Sequence, residues 1–145
     1  MLSFQRLDVY QRAIEFLALV GEIVDDLPKG NSERSDQLVR AAEYVVRNIA
    51  EGAGRWSDAD SAKHYKIARG EAMECAASLD VMRLRKLVPP QRYDHGIRLL
   101  EAIVAHADQD VLTSTSYRPG PRSRPGPRHP PARLPATAWL WLEQN

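Results

Sequence analysis

Apolar residues recur between Leu7 and Ala107 at alternating steps of three and four, the period of a helix with one buried face. Four stretches carry this pattern, and Pro-Pro or Gly-containing segments separate them. The pattern predicts helices over about residues 7–27, 32–52, 58–88 and 90–107, with Ser32 or Ser35 capping the second. We therefore predict an all-α fold, an up-down antiparallel four-helix bundle. The buried face predicted for the fourth helix comprises Ile97, Leu100, Val104 and Ala107.

The first predicted helix has an apolar stripe that is wider than one partner helix would cover. Such a width fits a helix deep in the bundle, and it equally fits a helix that also meets another subunit. The sequence leaves both interpretations open. The main stripe comprises Leu7, Tyr10, Ile14, Leu17, Gly21 and Val24, and a second strip comprises Phe16, Val20 and Ile23.

The second predicted helix ends in a pair of glycines. Gly52 and Gly54 can end the helix and reverse the chain, because glycine enters left-handed backbone conformations without steric cost. Glu51 and Arg55 are four residues apart and would pair only if the helix persisted past these glycines. Asn48 lies beside the apolar face and needs hydrogen-bond partners if it is buried. That face comprises Leu38, Ala42, Val45 and Ile49.

The third predicted helix has the most regular apolar face of the four. Ser57 is expected to cap its start, with Asp60 three residues further on. Gly70 in its middle costs about 1 kcal/mol relative to alanine, so we expect another helix to approach closely there. Cys75 is expected to be a small core residue rather than a reactive thiol. The face comprises Tyr65, Ala68, Ala72, Cys75, Leu79 and Met82.

Composition divides the 145 residues into two regions. Residues 1–112 carry 15 Lys and Arg against 18 Asp and Glu, a net charge of −3, so they are not a uniformly basic nucleic-acid binder. Residues 113–145 carry five Arg against one Glu, a net charge of +4, and are rich in proline. We predict a bundle over 1–112 and a low-complexity Pro/Arg-rich tail over 113–145. The apolar residues 138–142 of this tail could contact another surface, such as that of a neighbouring subunit.

The sequence predicts neither a membrane protein nor an exported one. No apolar stretch approaches the roughly 20 residues that span a bilayer. Charged residues interrupt every apolar run near the N-terminus, so no signal peptide is expected. The single cysteine allows no intramolecular disulfide. A cytoplasmic location is therefore the expectation.

Candidate catalytic chemistry is sparse. No Glu has a His three residues later, as a di-iron site in a bundle requires. The four histidines, His64, His95, His106 and His129, are scattered, and the first two lie in polar surroundings where solvation is expected rather than catalysis. No glycine-rich loop follows a strand. We therefore expect no enzyme activity, no bound metal and no cofactor.

One group of basic residues predicts binding. Lys63, Lys66 and Arg69 recur every three residues off the apolar face of the third helix. Antiparallel packing would bring some basic residues of the second helix near them, close to Arg55. The arrangement predicts either a phosphate-facing patch or an ordinary solvated face. The candidate set comprises Arg40, Arg47, Arg55, Lys63, Lys66 and Arg69.

Several short motifs, taken together, resemble a known family. They are FQRL at residues 4–7, LPK at 27–29, QLVRAA at 37–42, NIAEG at 48–52 and IARG at 67–70. With this ordered set the sequence resembles the four-helix-bundle rRNA intervening-sequence proteins, which include the accessory variability determinant of diversity-generating retroelements. The positions that carry the motifs include Asn48, Glu51, Gly52, Gly54, Gly70 and Glu74.

The resemblance implies a non-enzymatic bundle that assembles as a ring of five subunits. Retroelement members bind nucleic acid and a reverse transcriptase through a basic surface, so RNA or DNA and a reverse transcriptase are the implied partners. The alternative is a purely structural or protein-interaction oligomer without nucleic-acid affinity. Glu71 departs from the family pattern, which commonly has a small serine there, and the acidic net charge of residues 1–112 departs from a basic surface.

Overall fold

The computed structural model describes the backbone of residues 1–114 and the side chains of residues 1–111. After a 3₁₀ turn at Ser3–Arg6 come four helices: α1 (Asp8–Asp25), α2 (Ser32–Ala53), α3 (Asp58–Leu84) and α4 (Pro90–Ser114). Each helix packs against the next, and α4 packs back on α1. The predicted antiparallel four-helix bundle is therefore confirmed. From residue 115 onward the predicted tail lies outside the described residues, as do His129 and residues 138–142.

None of the described helices combines the length and apolar character needed to cross a membrane.

The bundle core is centred on the second strip of α1, and the main stripe predicted lies at its edge. Half-buried residues of that main stripe still pack against the core: Leu7, Tyr10, Leu17 and Val24. The second strip, around Phe16 and Val20, is fully buried. Ile14, at the centre of the predicted main stripe, is 41% exposed. The reason is that α4 approaches α1 at Phe16, where a Cβ on Gly96 would lie 3.6 Å from Phe16 Cε2. The buried face of α1 comprises Val9, Ala13, Phe16, Leu19, Val20 and Ile23.

Close approach at Gly96 also determines which face of α4 is buried. A Cβ at this position would lie 2.9 Å from Leu79 Cδ1 and 3.4 Å from Leu19 Cδ2, so a larger residue would displace these side chains. Of the four predicted positions, Leu100 and Ala107 are buried, whereas Ile97 and Val104 are half-buried and pack against the core from its edge. The observed core positions are Leu99, Leu100, Ile103 and Ala107. The helix also continues seven residues beyond its predicted end.

The helix starts are only partly as predicted. Ser57 caps α3 by accepting a hydrogen bond from the Asp60 backbone N–H at 3.2 Å, as expected. For α2 the expected serine caps are wrong, because Asn31 occupies the N-cap position without a side-chain capping bond. Ser35 instead donates its hydroxyl to the Asn31 carbonyl at 3.1 Å.

The apolar face of α3 is confirmed at all six positions. Gly70, however, lies on the opposite, exposed side of the helix, where an added Cβ would have no neighbour within 4 Å. None of the described helices of the same chain approaches Gly70, so the expected close packing there is wrong within the single chain.

Cys75 is fully buried, and we expect it to be unreactive until the chain unfolds. Burial, reinforced by the charges of Glu74 and Glu71, raises the pKa of its thiol from 9.0 to about 12. Because the thiolate is the nucleophile, iodoacetamide at about pH 8 should label Cys75 only in urea, as mass spectrometry would show. The folded state binds the thiol proton more tightly than the unfolded state does. The free energy of unfolding is therefore unaffected by this group below pH 9 and falls as the pH rises from 9 toward 12. Fast labelling without urea would contradict this assignment.

Candidate nucleic-acid interface

The turn between α2 and α3 depends on close packing rather than on a left-handed glycine. Gly54 caps α2 with φ −90° and ψ −1°, a right-handed conformation, so the expected left-handed reversal is wrong. A Cβ on Gly52 would lie 3.2 Å from Tyr65 Cε2 and 3.3 Å from the Ser61 carbonyl oxygen. Ser61 donates its hydroxyl to the Gly52 carbonyl at 2.8 Å. Gly52 is therefore required because the first turn of α3 lies directly against it.

A buried amide fixes the register of α2 against α3. Asn48 Nδ2 donates to the Tyr44 carbonyl at 2.9 Å, and its Oδ1 lies 3.2 Å from His64 Nδ1. The same imidazole nitrogen lies 3.2 Å from Glu51 Oε2. The His64 side chain is only 14% exposed, so its predicted solvation is wrong. The expectation that a buried Asn48 finds hydrogen-bond partners is confirmed, but the sequence does not identify His64 as one of them, because the two residues are 16 positions apart and on different helices.

Lys63 and Lys66 lie on the solvent-facing side of α3. On α3, His64 faces α2 and Arg69 faces α4, since these residues contact Asn48 and Asp108 respectively. At 100° per residue, both lysines fall on the outer arc between these two sides. Both are exposed, and neither forms an ion pair with any residue in the described part of the chain. Their charges are therefore available to an external anion.

Three of the predicted arginines are engaged within the chain. Arg69 Nε lies 2.6 Å from Asp108 Oδ1 on α4, Arg47 pairs with Glu43 at 3.2 Å, and Arg55 pairs with Glu51 at 3.5 Å. The last pair forms although α2 ends at Ala53, because right-handed Gly54 carries the chain onward in a helical course. All three pairs are partly exposed, so each contributes little to stability and can exchange for another anion.

The six predicted basic residues do not form one continuous patch. The Asn48–His64 contact places Arg47 at about the height of Lys66. Arg40 lies seven residues further from the turn, roughly 10 Å along α2. It lines a surface depression there with Glu33 and Asp36. Arg55 and Lys63 are the basic residues nearest the α2–α3 turn, followed by Arg47 and Lys66 at a similar height. Whether they bind nucleic acid stays a prediction.

An exposed aromatic residue, which the sequence analysis did not single out, lies in the same turn. Trp56 projects entirely into solvent, between Arg55 and the Ser57 cap. Two carboxylates, Asp58 and Asp60, follow in the first turn of α3, where their negative charges interact favourably with the positive end of the helix dipole. The sequence identifies Trp56 only as a loop residue, because the exposure of its indole beside the Arg55 guanidinium depends on the geometry of the turn.

Of the positions that carry the family motifs, Asn48, Glu51 and Gly52 belong to the α2–α3 contact described above. Gly70 and Glu74 instead lie on exposed α3 surface. Burial, with the charge of Glu74, raises the pKa of the neighbouring Glu71 carboxyl. Within the described residues, no group of three or more His, Cys, Asp or Glu side chains is placed to hold a metal ion.

Comparison with known proteins gives a family and a fold. The family model described as 23S rRNA-intervening sequence protein matches residues 5–107. A solved structure from Bacteroides thetaiotaomicron, a protein of unknown function from the S23 ribosomal protein family, matches with a TM-score of 0.65 and 20% identity. The match covers 72% of this chain and 95% of that one, and at this identity it supports the fold alone. No curated protein sequence matches significantly.

Proposed function

Because the chain belongs to the 23S rRNA-intervening sequence protein family, we propose that it is a non-enzymatic, oligomeric helical bundle that binds RNA through the basic residues near its α2–α3 turn. The observation that carries this proposal is the pair of exposed lysines, Lys63 and Lys66, which lack ion-pair partners among the described residues. Residues 1–112 carry a net charge of −3. This charge is consistent with a local binding site and inconsistent with a uniformly basic binding surface.

Trp56 supports single-stranded RNA as the form that is bound. Unpaired bases stack on exposed aromatic side chains, whereas the bases of a duplex are already stacked on one another. The fully exposed indole lies next to Arg55, whose pairing with Glu51 is solvent-exposed and exchangeable. Lys63 and Lys66 would then contact the phosphates that flank the stacked base. We also propose a reverse transcriptase as the protein partner, because the family resemblance implies one.

Charge reversal of both lysines tests the proposal. We expect Lys63→Glu/Lys66→Glu to weaken binding of a single-stranded RNA oligonucleotide about tenfold. It should also flatten the logarithmic salt dependence by about 1.4, because each lysine–phosphate pair on a single strand contributes about 0.7. Fluorescence anisotropy at several salt concentrations would measure both quantities. The matched control is Lys29→Glu/Arg98→Glu, which changes the net charge equally at positions away from the turn.

The two possible failures have different meanings. If the wild type binds RNA and both double variants weaken binding equally, the attraction is a general charge effect and the site is wrong. If no RNA binds and no nucleic acid co-purifies, judged by the ratio of absorbance at 260 and 280 nm, the RNA-binding function itself is wrong.

The second candidate function is a structural oligomer without nucleic-acid affinity. The observation that favours it is the outer face of α3, which we define by Ile67, Gly70 and Met73, all exposed. With no neighbour near Gly70, a helix of another copy could approach closely there. A light-scattering mass of several chains without bound nucleic acid would support this candidate, and a ring of five is the number that the family resemblance implies. A single-chain mass would contradict the oligomer in both candidates.

A further inference from the structure

An apolar groove lies at the end of the bundle opposite to the α2–α3 turn. It has a volume of about 1160 Å³ and follows the connection between α3 and α4. Val81 and Leu84, which line it, are 45% and 55% exposed. The groove is larger than most small-molecule pockets, which hold about 300–1,000 Å³, so its size suits a peptide segment. Its apolar lining also includes Leu87, Val88, Pro89 and Pro90.

The chain itself contains a segment of matching chemistry. Residues 138–142 read AWLWL, an apolar run that follows a proline- and arginine-rich sequence. An exposed run with two tryptophans is costly to leave in water, since each large aromatic side chain can bury roughly 150–250 Å² of surface. We propose that residues 138–142 dock in the groove between α3 and α4 of the same chain.

The intervening chain is long enough for this docking. The last described helical residue, Ser114, is 24 residues from Pro90 at the groove, which corresponds to about 36 Å along α4. The 23 residues 115–137 can span about 70 Å at the 3.1 Å per residue of extended proline-rich chain. The intervening chain is therefore about twice as long as the distance that the segment must cover to reach the groove.

Charge complementarity favours the same path. The tail carries a net charge of +4, and residues 1–112 carry −3. A tail that returns along α4 passes Glu101 and Asp94, both exposed and without an ion pair among the described residues. The only acidic residue of the tail, Glu143, follows the apolar segment directly, and Lys86 lines the groove.

The groove also offers hydrogen-bond acceptors for buried indole N–H groups. Asp80 accepts a hydrogen bond from the Tyr93 hydroxyl at 2.6 Å, and Asp26 accepts one from Arg92. A carboxylate accepts about four hydrogen bonds, so both retain capacity. Buried tryptophan normally finds such a partner for its N–H, which an entirely apolar groove would not supply.

The tail tryptophans report directly on docking. In the 145-residue chain with Trp56→Phe, Trp139 and Trp141 are the only tryptophans, and acrylamide quenching measures their exposure. At an effective concentration of about 1 mM, a segment with a dissociation constant of about 0.1 mM is roughly nine-tenths docked. Adding Leu84→Glu, at an exposed groove position, should weaken docking about tenfold and raise the undocked fraction about fivefold, to one half.

The control variant is Tyr44→Glu, a 44% exposed position of α2 outside the groove, which should leave quenching unchanged. Fully accessible tryptophans in the Trp56→Phe chain would overturn the proposal. Protection that survives Leu84→Glu, or that Tyr44→Glu removes instead, would also overturn it.

A mixing experiment distinguishes docking within one chain from docking on a second copy. The Trp56→Phe/Leu84→Glu chain is unfolded and refolded with an excess of chain lacking all three tryptophans but keeping Leu84. Quenching that stays at the level of the Leu84→Glu chain alone supports docking within the chain. Restored protection would show that the segment docks on a second copy, which overturns the proposal.

Discussion

Replacing Phe16 by alanine is expected to lower the free energy of unfolding by about 3–5 kcal/mol, a large fraction of the stability of a small domain. Phe16 is fully buried on α1, and Gly96 lets α4 come close to its ring. The loss combines the transfer free energy of the ring with a cavity that the surrounding helices fill only in part. Urea denaturation followed by circular dichroism would measure the change.

Ile14→Ala is the matched control for the face of α1. Ile14 belongs to the main stripe of the sequence pattern but is 41% exposed in the single chain, so we expect a loss below about 1 kcal/mol. If Ile14→Ala costs more than Phe16→Ala, the observed face of α1 is wrong. A cost at Ile14 that grows with protein concentration would instead indicate that it is buried between subunits.

Gly52→Val is expected to destabilise the fold by about 1–3 kcal/mol, because it overfills the contact between α2 and α3. Even a single Cβ would lie 3.3 Å from the Ser61 carbonyl oxygen, a backbone atom that cannot rotate away. The two further methyl groups of valine would force the helices apart and weaken the Ser61–Gly52 hydrogen bond. Thermal unfolding by calorimetry would measure the loss.

Gly54→Val tests whether this effect comes from packing or from removing any glycine at the turn. Gly54 is exposed, has a right-handed conformation open to all residues, and has its nearest atoms 3.6 Å from a Cβ. We expect a change within about 1 kcal/mol. Equal losses at both positions would mean that glycine acts here through backbone conformation.

Periodicity predicted the fold and the buried faces of α2 and α3, because each of those helices has one apolar stripe of ordinary width. In α1 two apolar strips compete, and periodicity alone cannot choose between Ile14 and Phe16. In α4 the choice depends on Gly96, which carries no hydrophobic signal but allows Leu79 to come close. Faces set by close approach between helices are therefore the part that a single-helix pattern cannot predict.

The candidate interface was predictable to a similar extent. Helical spacing placed Lys63 and Lys66 off the buried face correctly, since that needs only one helix. It could not show that Arg69 pairs with Asp108, which lies 39 residues away on another helix. Nor could it place His64 against Asn48. Which charges stay available depends on contacts between helices, and these arise only in the folded bundle.

The position of α4 in the chain has a consequence for biosynthesis. Of the four helices α4 is the last to be made, and it supplies Leu99 and Ile103 to the core and covers Phe16 and Leu79. Until α4 leaves the ribosome, a nascent three-helix intermediate presents Phe16 and Leu79 to water, and such apolar surfaces attract chaperones or aggregate. Premature termination before Pro90 would therefore produce an aggregation-prone fragment rather than a smaller folded bundle.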